Sequence, residues 1–321
     1  MTAILKNIFN ISNKKLLKDY GLVLAFMGIC LVLSILSPSF IKPANLLNIL
    51  RQTSINGILA VGMTFVIITG GIDLSVGSIT AVAAVVASSF AHPGEHSIVF
   101  VIFSGLGVGL LLGFINGLFI AKAKLAPFIA TLGMMTIARG MALVYTSGRP
   151  VINLSDQYNY IGGGYIGGIP VPVYIYGLVV IISFFVLRFT VFGRRVYAVG
   201  GNELSAKYSG IKTSNIKTLV YMISGMLSGL AGIVLSSRVM SGNPSAGTSY
   251  ELDAIAAVVI GGTSMTGGVG TIFGTVIGAL MIGVINNGLD LLNVSSYFQQ
   301  IVKGSIIIFA VLMDKQANSK D

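Results

Sequence analysis

Two stretches of this chain have the spacing of catalytic motifs, and neither survives its context. His92-Pro93-Gly94-Glu95-His96 matches H-x-x-E-H, in which two histidines on one helical face hold zinc and a glutamate acts as base. Pro93-Gly94 breaks the helix that this geometry requires. Gly162-Gly163-Gly164-Tyr165-Ile166-Gly167 satisfies G-x-G-x-x-G, yet no strand precedes it and no helix clearly follows, so it does not read as a dinucleotide loop. No Gly-Lys-Ser or Gly-Lys-Thr occurs, so any ATP must be handled by another chain. Cys30 is the only cysteine, which excludes an intrachain disulfide and a cysteine-based metal site. No nucleophile is paired with a base. The remaining chemistry is hydrogen bonding by polar side chains within apolar runs: Asn56, Asn116, Asn286, Asn287 and Gln299, joined by Asp73 and Ser75 at a break between runs. Each must find a partner or water, and they suit either a hydroxyl-rich solute or bonds between helices.

The elements that would position them are membrane spans. Of the 321 residues, 54% are hydrophobic and 9% charged, and the mean hydropathy is +0.90, far from an ordinary soluble domain. With about 20 residues per span, apolar helices are expected at about 20–37, 48–69, 74–91, 97–121, 125–146, 172–191, 216–238, 251–266, 270–289 and 296–313. The first run ends in Ser37-Pro38-Ser39-Phe40 without a small-x-small cleavage pattern, so it reads as a retained helix rather than a signal peptide. The net charge of +10 is explained by placement, with no nucleic-acid partner implied. Lys6, Lys14, Lys15 and Lys18 precede the first run. Lys122, Lys124, Arg188, Arg194, Arg195, Lys207, Lys212, Lys217, Lys315 and Lys320 fall on the same side of the membrane; Lys42 and Arg51 are the main exceptions. By the positive-inside rule that side is cytoplasmic. The expectation is an all-α polytopic membrane protein with both termini cytoplasmic. It comprises an amino-terminal segment 1–19, one transmembrane domain 20–314 and a tail 315–321, with the loop 145–172 facing outward.

Two spans are interrupted in corresponding places. Ile55-Asn56-Gly57-Ile58-Leu59-Ala60-Val61-Gly62 leads to Gly70-Gly71-Ile72-Asp73-Leu74-Ser75, and Ile223-Ser224-Gly225-Met226-Leu227-Ser228-Gly229 leads to Thr248-Ser249-Tyr250-Glu251-Leu252-Asp253. Each break opens an Ala/Val-rich helix, Ala81 to Val86 and Ala254 to Val259. Small-xxx-small pairs follow, Gly113 with Gly117 and Gly274 with Gly278. Five spans separate the copies, so they run in opposite directions: an inverted repeat of spans 2–5 against 7–10, with a pathway between the halves. Gly70 and Gly71 end a helix, Asp73 caps the next, and Thr248 and Glu251 form a T-x-x-E capping box. Asp73, Glu251, Asp253 and Asp290 are expected near the interfaces rather than the midplane, which disfavours an ion-coupled secondary transporter. An intramembrane enzyme is disfavoured by the failed motifs.

A polar island, Gly193 to Lys212, interrupts this lipid-soluble pattern and offers a soluble partner a surface. Together with Gly71-Ile72-Asp73-Leu74-Ser75-Val76-Gly77-Ser78, the run Glu251 to Met265 and the tail Asn286 to Tyr297, the stretch Gly200 to Ile211 resembles the permease subunit of sugar ABC importers, the ribose permease subfamily most closely. The resemblance covers nearly the whole chain. It implies a pair of permeases in the bacterial inner membrane, an extracytoplasmic sugar-binding protein, and a cytoplasmic ATPase, commonly with two fused nucleotide-binding domains, that uses the ATP and Mg. No cofactor is implied for this chain. The cargo is a monosaccharide: ribose, another pentose, a hexose or a sugar-like signalling molecule. The segment 193–215 would be the coupling loop, with Asn202, Glu203, Ala206, Ser209, Gly210 and Ile211 matching the family pattern. Glu203 would give polar contacts, Ala206 close approach, and Gly210 the helix end.

Overall fold

The computed structural model describes residues 21–318; the expected cytoplasmic segment 1–19 and the last residues of the tail, Lys320 among them, lie outside the described residues. Helices form wherever the apolar runs were read. They are α1 (Gly21–Leu36), α2 (Pro43–Ile68), α3 (Val76–Ser89), α4 (Ile98–Ala121), α5 (Pro127–Thr146), α6 (Asp156–Gly163), α7 (Val171–Phe189), α8 (Val191–Gly201), α9 (Glu203–Tyr208), α10 (Thr213–Val239), α11 (Tyr250–Ile260), α12 (Ile272–Leu291) and α13 (Ser296–Asn318). A two-stranded hairpin, β1 (Tyr165–Ile166) with β2 (Ile169–Pro170), follows α6. Six helices, α2, α4, α5, α7, α10 and α12, are long and apolar enough to cross a membrane. Phe103, Val144, Phe189 and Ile308 stand exposed on α4, α5, α7 and α13, as side chains facing lipid would. The protein is an all-helical, multi-pass membrane protein.

Three departures from expectation concern local structure. The loop 145–172 holds α6 and the hairpin, and the island 193–215 folds as α8 and α9 before α10 begins. The expected span 251–266 ends at Ile260, where the α11 C-cap is Gly261, followed by Gly262 at φ 83°. The expected tail 315–321 instead continues α13 as far as Asn318.

α2 and α10 form the centre of the bundle, and their neighbours exchange in parallel. α10 packs on α3, α4 and α6 as well as α2, while α2 packs on α11, α12 and α7. α3 lies on α4 and α5; α11 lies on α12 and α13. The α4–α10 seam is tight: a side chain at Gly109 or Gly113 would run into the Gly225–Gly229 backbone or the Tyr221 carbonyl. Without a hydrophobic drive between helices in lipid, such backbone approach supplies the van der Waals contact that holds the pair.

Two sets of contacts define opposite ends of the bundle. At the α9 end, Tyr197 donates to Gly270 O at 2.7 Å and Gly268 N to Ile68 O at 2.8 Å. At the α6 end, Ser89 meets Tyr145 at 2.8 Å, His92 Nδ1 meets Asn153 O at 3.0 Å, and Val151 bridges to Gly242. Each break turns inward from one end. Gly70, at φ 73°, turns the chain away from α2 toward the interior, and the segment before α11 runs in from the other side. The starts of α3 and α11 meet there, since a side chain at Gly77 would strike Gly247 O and the Glu251 carboxylate.

Candidate functional site

Asp73 sits inside this meeting of broken helices, with none of its surface exposed. Its Oδ1 accepts from Ser75 N at 3.0 Å and Ser75 Oγ at 2.5 Å, and its Oδ2 from Ser224 Oγ at 2.8 Å. Asn116 Nδ2 donates to Ser75 Oγ at 2.8 Å, which ties α4 to the break. Tyr221 Oη closes the set on Ile72 O at 3.1 Å, and a side chain at Gly71 would collide with that hydroxyl. The capping expected of Asp73 is corrected in detail: the N-cap of α3 is Ser75, which makes no side-chain cap bond, and Asp73 instead forms an Asx turn over it. Asp73 lies inside the bundle toward the α9 end: Ser224 is the twelfth residue of α10, while Asn116 is five residues from the end of α4 and Thr131, which donates to Ile72 O at 3.4 Å, is four from the start of α5.

A second carboxylate occupies a comparable place. Asp253, on the first turn of α11, is 3% exposed, and its Oδ2 receives Lys303 Nζ at 3.0 Å, Asn56 Nδ2 at 3.4 Å and Asn286 Nδ2 at 3.4 Å. It lies inside the bundle toward the α6 end, since Asn56 is five residues past Arg51, which meets Tyr165, and Asn286 is five residues from the end of α12. Both acids are enclosed by other helices instead of standing at an exposed surface. The reason is physical: the breaks run into the bundle, where other helices supply the hydrogen bonds that an irregular backbone needs.

The two networks draw on matching residues. Asn56 and Ser224 occupy corresponding positions in Ile55-Asn56-Gly57 and Ile223-Ser224-Gly225, and Asn116 and Asn286 in Gly113-Phe114-Ile115-Asn116 and Gly283-Val284-Ile285-Asn286. Packing agrees with this register: a side chain at Gly113 would meet Tyr221 O, and one at Gly283 would meet Thr53 Oγ1. Setting Gly113 and Gly117 beside Gly274 and Gly278 is thereby corrected, because Gly274 and Gly278 pack on Gly261 and Ala257 of the α11 region.

Other candidates are structural ties. Asn287 exchanges amide bonds of 2.9 Å with Asn45, and Gln299 Nε2 donates to Asp290 Oδ1 at 2.8 Å and Val294 O at 3.0 Å. The capping box at Thr248 and Glu251 does not form. Thr248 Oγ1 donates to Ser245 O at 2.9 Å, and the N-cap of α11 is Ser249, in the left-handed region at φ 68° with no side-chain cap bond. Glu251 faces Gly77 instead, near Arg139, which donates to Pro244 O at 2.7 Å and Ala246 O at 2.8 Å. Among the described residues no group of three or more His, Cys, Asp and Glu is placed to hold a metal, and His96 meets Phe90 edge-on and Phe100 at a tilt.

At the α9 end, Asn202 Oδ1 accepts from Ser205 N at 2.8 Å and so caps α9, with Glu203 in its first turn. Gly210, at φ 82°, ends it, with Ile211 N returning to Ala206 O at 3.1 Å and Ser209 Oγ to Ser205 O at 2.9 Å. Glu203 pairs with Lys217 of α10 at 2.5 Å, which ties the short helix to the long one. Ala206 is buried against this chain's own core, so the close approach it allows is internal. The outward face carries Leu204 and Tyr208, 67% and 88% exposed and one helical turn apart. Sequence reading passed over both, although large apolar residues at this spacing on a polar segment are the available signal. Beside them a cavity of about 820 Å³ is lined by Lys124, Lys207, Lys212 and Lys217, among others.

A family model described as "Branched-chain amino acid transport system / permease component" matches residues 45–311. The protein is 50% identical over 305 residues to the ribose import permease protein RbsC of Bacillus subtilis (strain 168), covering 94% of each chain. It is 47% identical over 307 residues to the protein of the same name from Escherichia coli (strain K12), covering 94% of this chain and 95% of the other. The L-arabinose ABC transporter permease protein AraH of Azospirillum brasilense is 37% identical over 301 residues, which is 94% of this chain and 88% of that one. No solved structure matches. With the family model spanning residues 45–311 and such relatives matched over more than nine-tenths of its length, the chain belongs to this family of transport-system permease components.

Proposed function

We propose that this protein is the membrane-spanning permease subunit of an ATP-driven importer that carries ribose across the bacterial inner membrane. The observation that carries the cargo is the graded identity: 47–50% to proteins named for ribose import, against 37% to one named for arabinose. Soluble drive is supported by α9, whose Leu204 and Tyr208 form a small apolar face on a polar segment. An ion-coupled transporter working alone has no use for that face.

In this reading the chain crosses the membrane ten times, through α1–α5, α7 and α10–α13, and the α9 end is cytoplasmic. Helices α3 and α11, 14 and 11 residues long, complete crossings that the break segments before them begin. The inverted repeat is supported by the exchange of packing partners between α2 and α10, α3 and α11, and α4 and α12. Two copies pair, a sugar-binding protein docks at the α6 end, and an ATPase with two fused nucleotide-binding domains seats α9. Its ATP cycle displaces α9, and the Glu203–Lys217 pair passes the movement to α10. Ser224, in the middle of α10, passes it to Asp73 and the break before α3. The halves tilt, and the pathway between them opens alternately to each side.

The test is ATP-dependent ribose uptake in proteoliposomes holding the permease, its ATPase and its binding protein. Leu204→Asp with Tyr208→Asp is expected to abolish ATPase co-purification and cut uptake by about a hundredfold, the order expected when apolar anchor residues are lost. Full uptake by that variant would overturn the coupling role, and uptake of a different sugar by the wild type would overturn the cargo.

A further inference from the structure

The two buried carboxylates lie at matching breaks but are bonded differently. Asp73 is sealed: its partners approach to 2.5–3.0 Å, and none of its surface is exposed. Asp253 is loosely held. Its two amide partners stand at 3.4 Å, both directed at Oδ2, and Asn286 Oδ1 is buried without a hydrogen-bond partner. An orphaned buried amide oxygen is costly and marks a site whose bonds are incomplete.

This second network also opens outward. From Thr53 to Ile68 every residue of α2 is buried except Asn56. The one gap in that wall is thus filled by a polar side chain, and it faces Asp253. Asn286 is half-buried, and the Lys303 side chain is 22% exposed. Lys303 comes from α13, which packs on α11. An ion pair at membrane depth is expensive and is retained where it serves a pathway.

From these observations we infer that Asn56, Asp253, Asn286 and Lys303 form a contact site for a neutral polyol, specifically for adjacent hydroxyls of a monosaccharide on its route through the bundle. The inference rests on the sugar-import reading above. Its chemistry is complementary: the carboxylate and the orphaned Asn286 Oδ1 accept from sugar hydroxyls, and the two amides and the ammonium donate to their oxygens. The two amide bonds are long, so a sugar replaces them at little cost, while the Lys303 bond of 3.0 Å holds the carboxylate in place. The sugar leaves as easily once the halves tilt, which suits a transit site better than a tight one. The ligand is uncharged, since the ion pair already balances its own charge.

The experiment uses the same complete importer in proteoliposomes, with ribose as the probe. Asp253→Asn, Lys303→Met and the milder Asn286→Ala are each expected to lower maximal uptake by about tenfold or more, as when a site built to bond hydroxyls loses a partner. ATPase co-purification and the half-saturating concentration of loaded binding protein should stay within about twofold, because both are set at the ends of the bundle. The exchanged pair Asp253→Lys with Lys303→Asp separates roles. It rebuilds an ion pair but moves the carboxylate away from Asn56 and Asn286, so uptake should stay low. Recovery of uptake in the exchanged pair would overturn the inference in favour of a structural tie, as would wild-type uptake in Asn286→Ala together with Asp253→Asn. Absence of ribose uptake by the wild-type complex would instead count against the importer reading itself.

Discussion

Asp73 shows what a charge costs inside such a bundle and how the cost is met. Removing a carboxylate from water costs several kcal/mol, so a buried one must be met by close donors. Here these are the Ser75 amide and hydroxyl and the Ser224 hydroxyl. Asp73→Ala leaves all three buried donors without an acceptor, each worth about 1–3 kcal/mol, and is expected to destabilise the protein by about 3 kcal/mol. Asp73→Asn keeps an acceptor for Ser75, and the Ser224 hydroxyl can rotate to accept from the new amide, so its cost is about 1 kcal/mol. Thermal unfolding followed by loss of the monodisperse peak in detergent should rank wild type, Asp73→Asn and Asp73→Ala in that order. Equal midpoints for Ala and Asn would mean that the hydrogen bonds to Asp73 carry no stability. Asp253 differs at this scale: its amide bonds are long but it pairs with Lys303 at 3.0 Å, so Asp253→Asn is expected to cost stability as well as transport, and the milder Asn286→Ala separates the two.

At the scale of elements, small residues decide which helices may touch. Gly107 and Gly113 lie on the same helix, α4, but Gly107 has nothing within reach of an added side chain, whereas Gly113 abuts the α10 backbone. Gly113→Val must push α4 and α10 apart, at a cost beyond the roughly 1–3 kcal/mol of ordinary overpacking. Gly107→Val is expected to be silent or slightly stabilising, because it replaces a helix-interior glycine. Yield of folded protein after membrane extraction should fall sharply for the first and be unchanged for the second; comparable yields would show that the seam yields to a bulkier residue. This scale is also where sequence reading succeeded and failed most clearly. The long helices were legible because an apolar run of span length has few alternatives in lipid, and Gly70 and Gly71 marked a real break. The short helices α6 and α8 were not, since eight and eleven residues carry too little periodicity, whereas the short helix α9 was expected from the resemblance, with Gly210 at its end. Nor was the burial of Asp73 and Asp253 legible, because a glycine pair says that a helix stops and not which way the chain then turns. Lys303 passed unnoticed as one cation in an apolar run; only its pairing with Asp253 gives it meaning.

Across the whole molecule, two ends and a middle divide the work. Basic residues gather at the α9 end, where Lys124, Lys207, Lys212 and Lys217 surround one cavity, while Arg51 lies at the other end against the Tyr165 ring and hydroxyl. The positive-inside rule places the α9 end in the cytoplasm, and Arg51 ceases to be an exception once its aromatic partner is seen. Cys30 is the only cysteine, so a Cys30→Ser background gives a clean reporter. Tyr208→Cys, at a position 88% exposed on α9, should react with a membrane-impermeant maleimide in inside-out vesicles and stay unlabelled in intact cells or spheroplasts. Ile152→Cys, 64% exposed beside the Val151–Gly242 bridge, should behave in the opposite way. Labelling of both from one side would break the division of the bundle into a force-receiving end and a sugar-receiving end. With it would fall the route from α9 through α10 to the buried carboxylates. Opposite labelling, by contrast, puts Asp73 and Asp253 between the two compartments, where a pathway that never opens to both sides must hold its cargo.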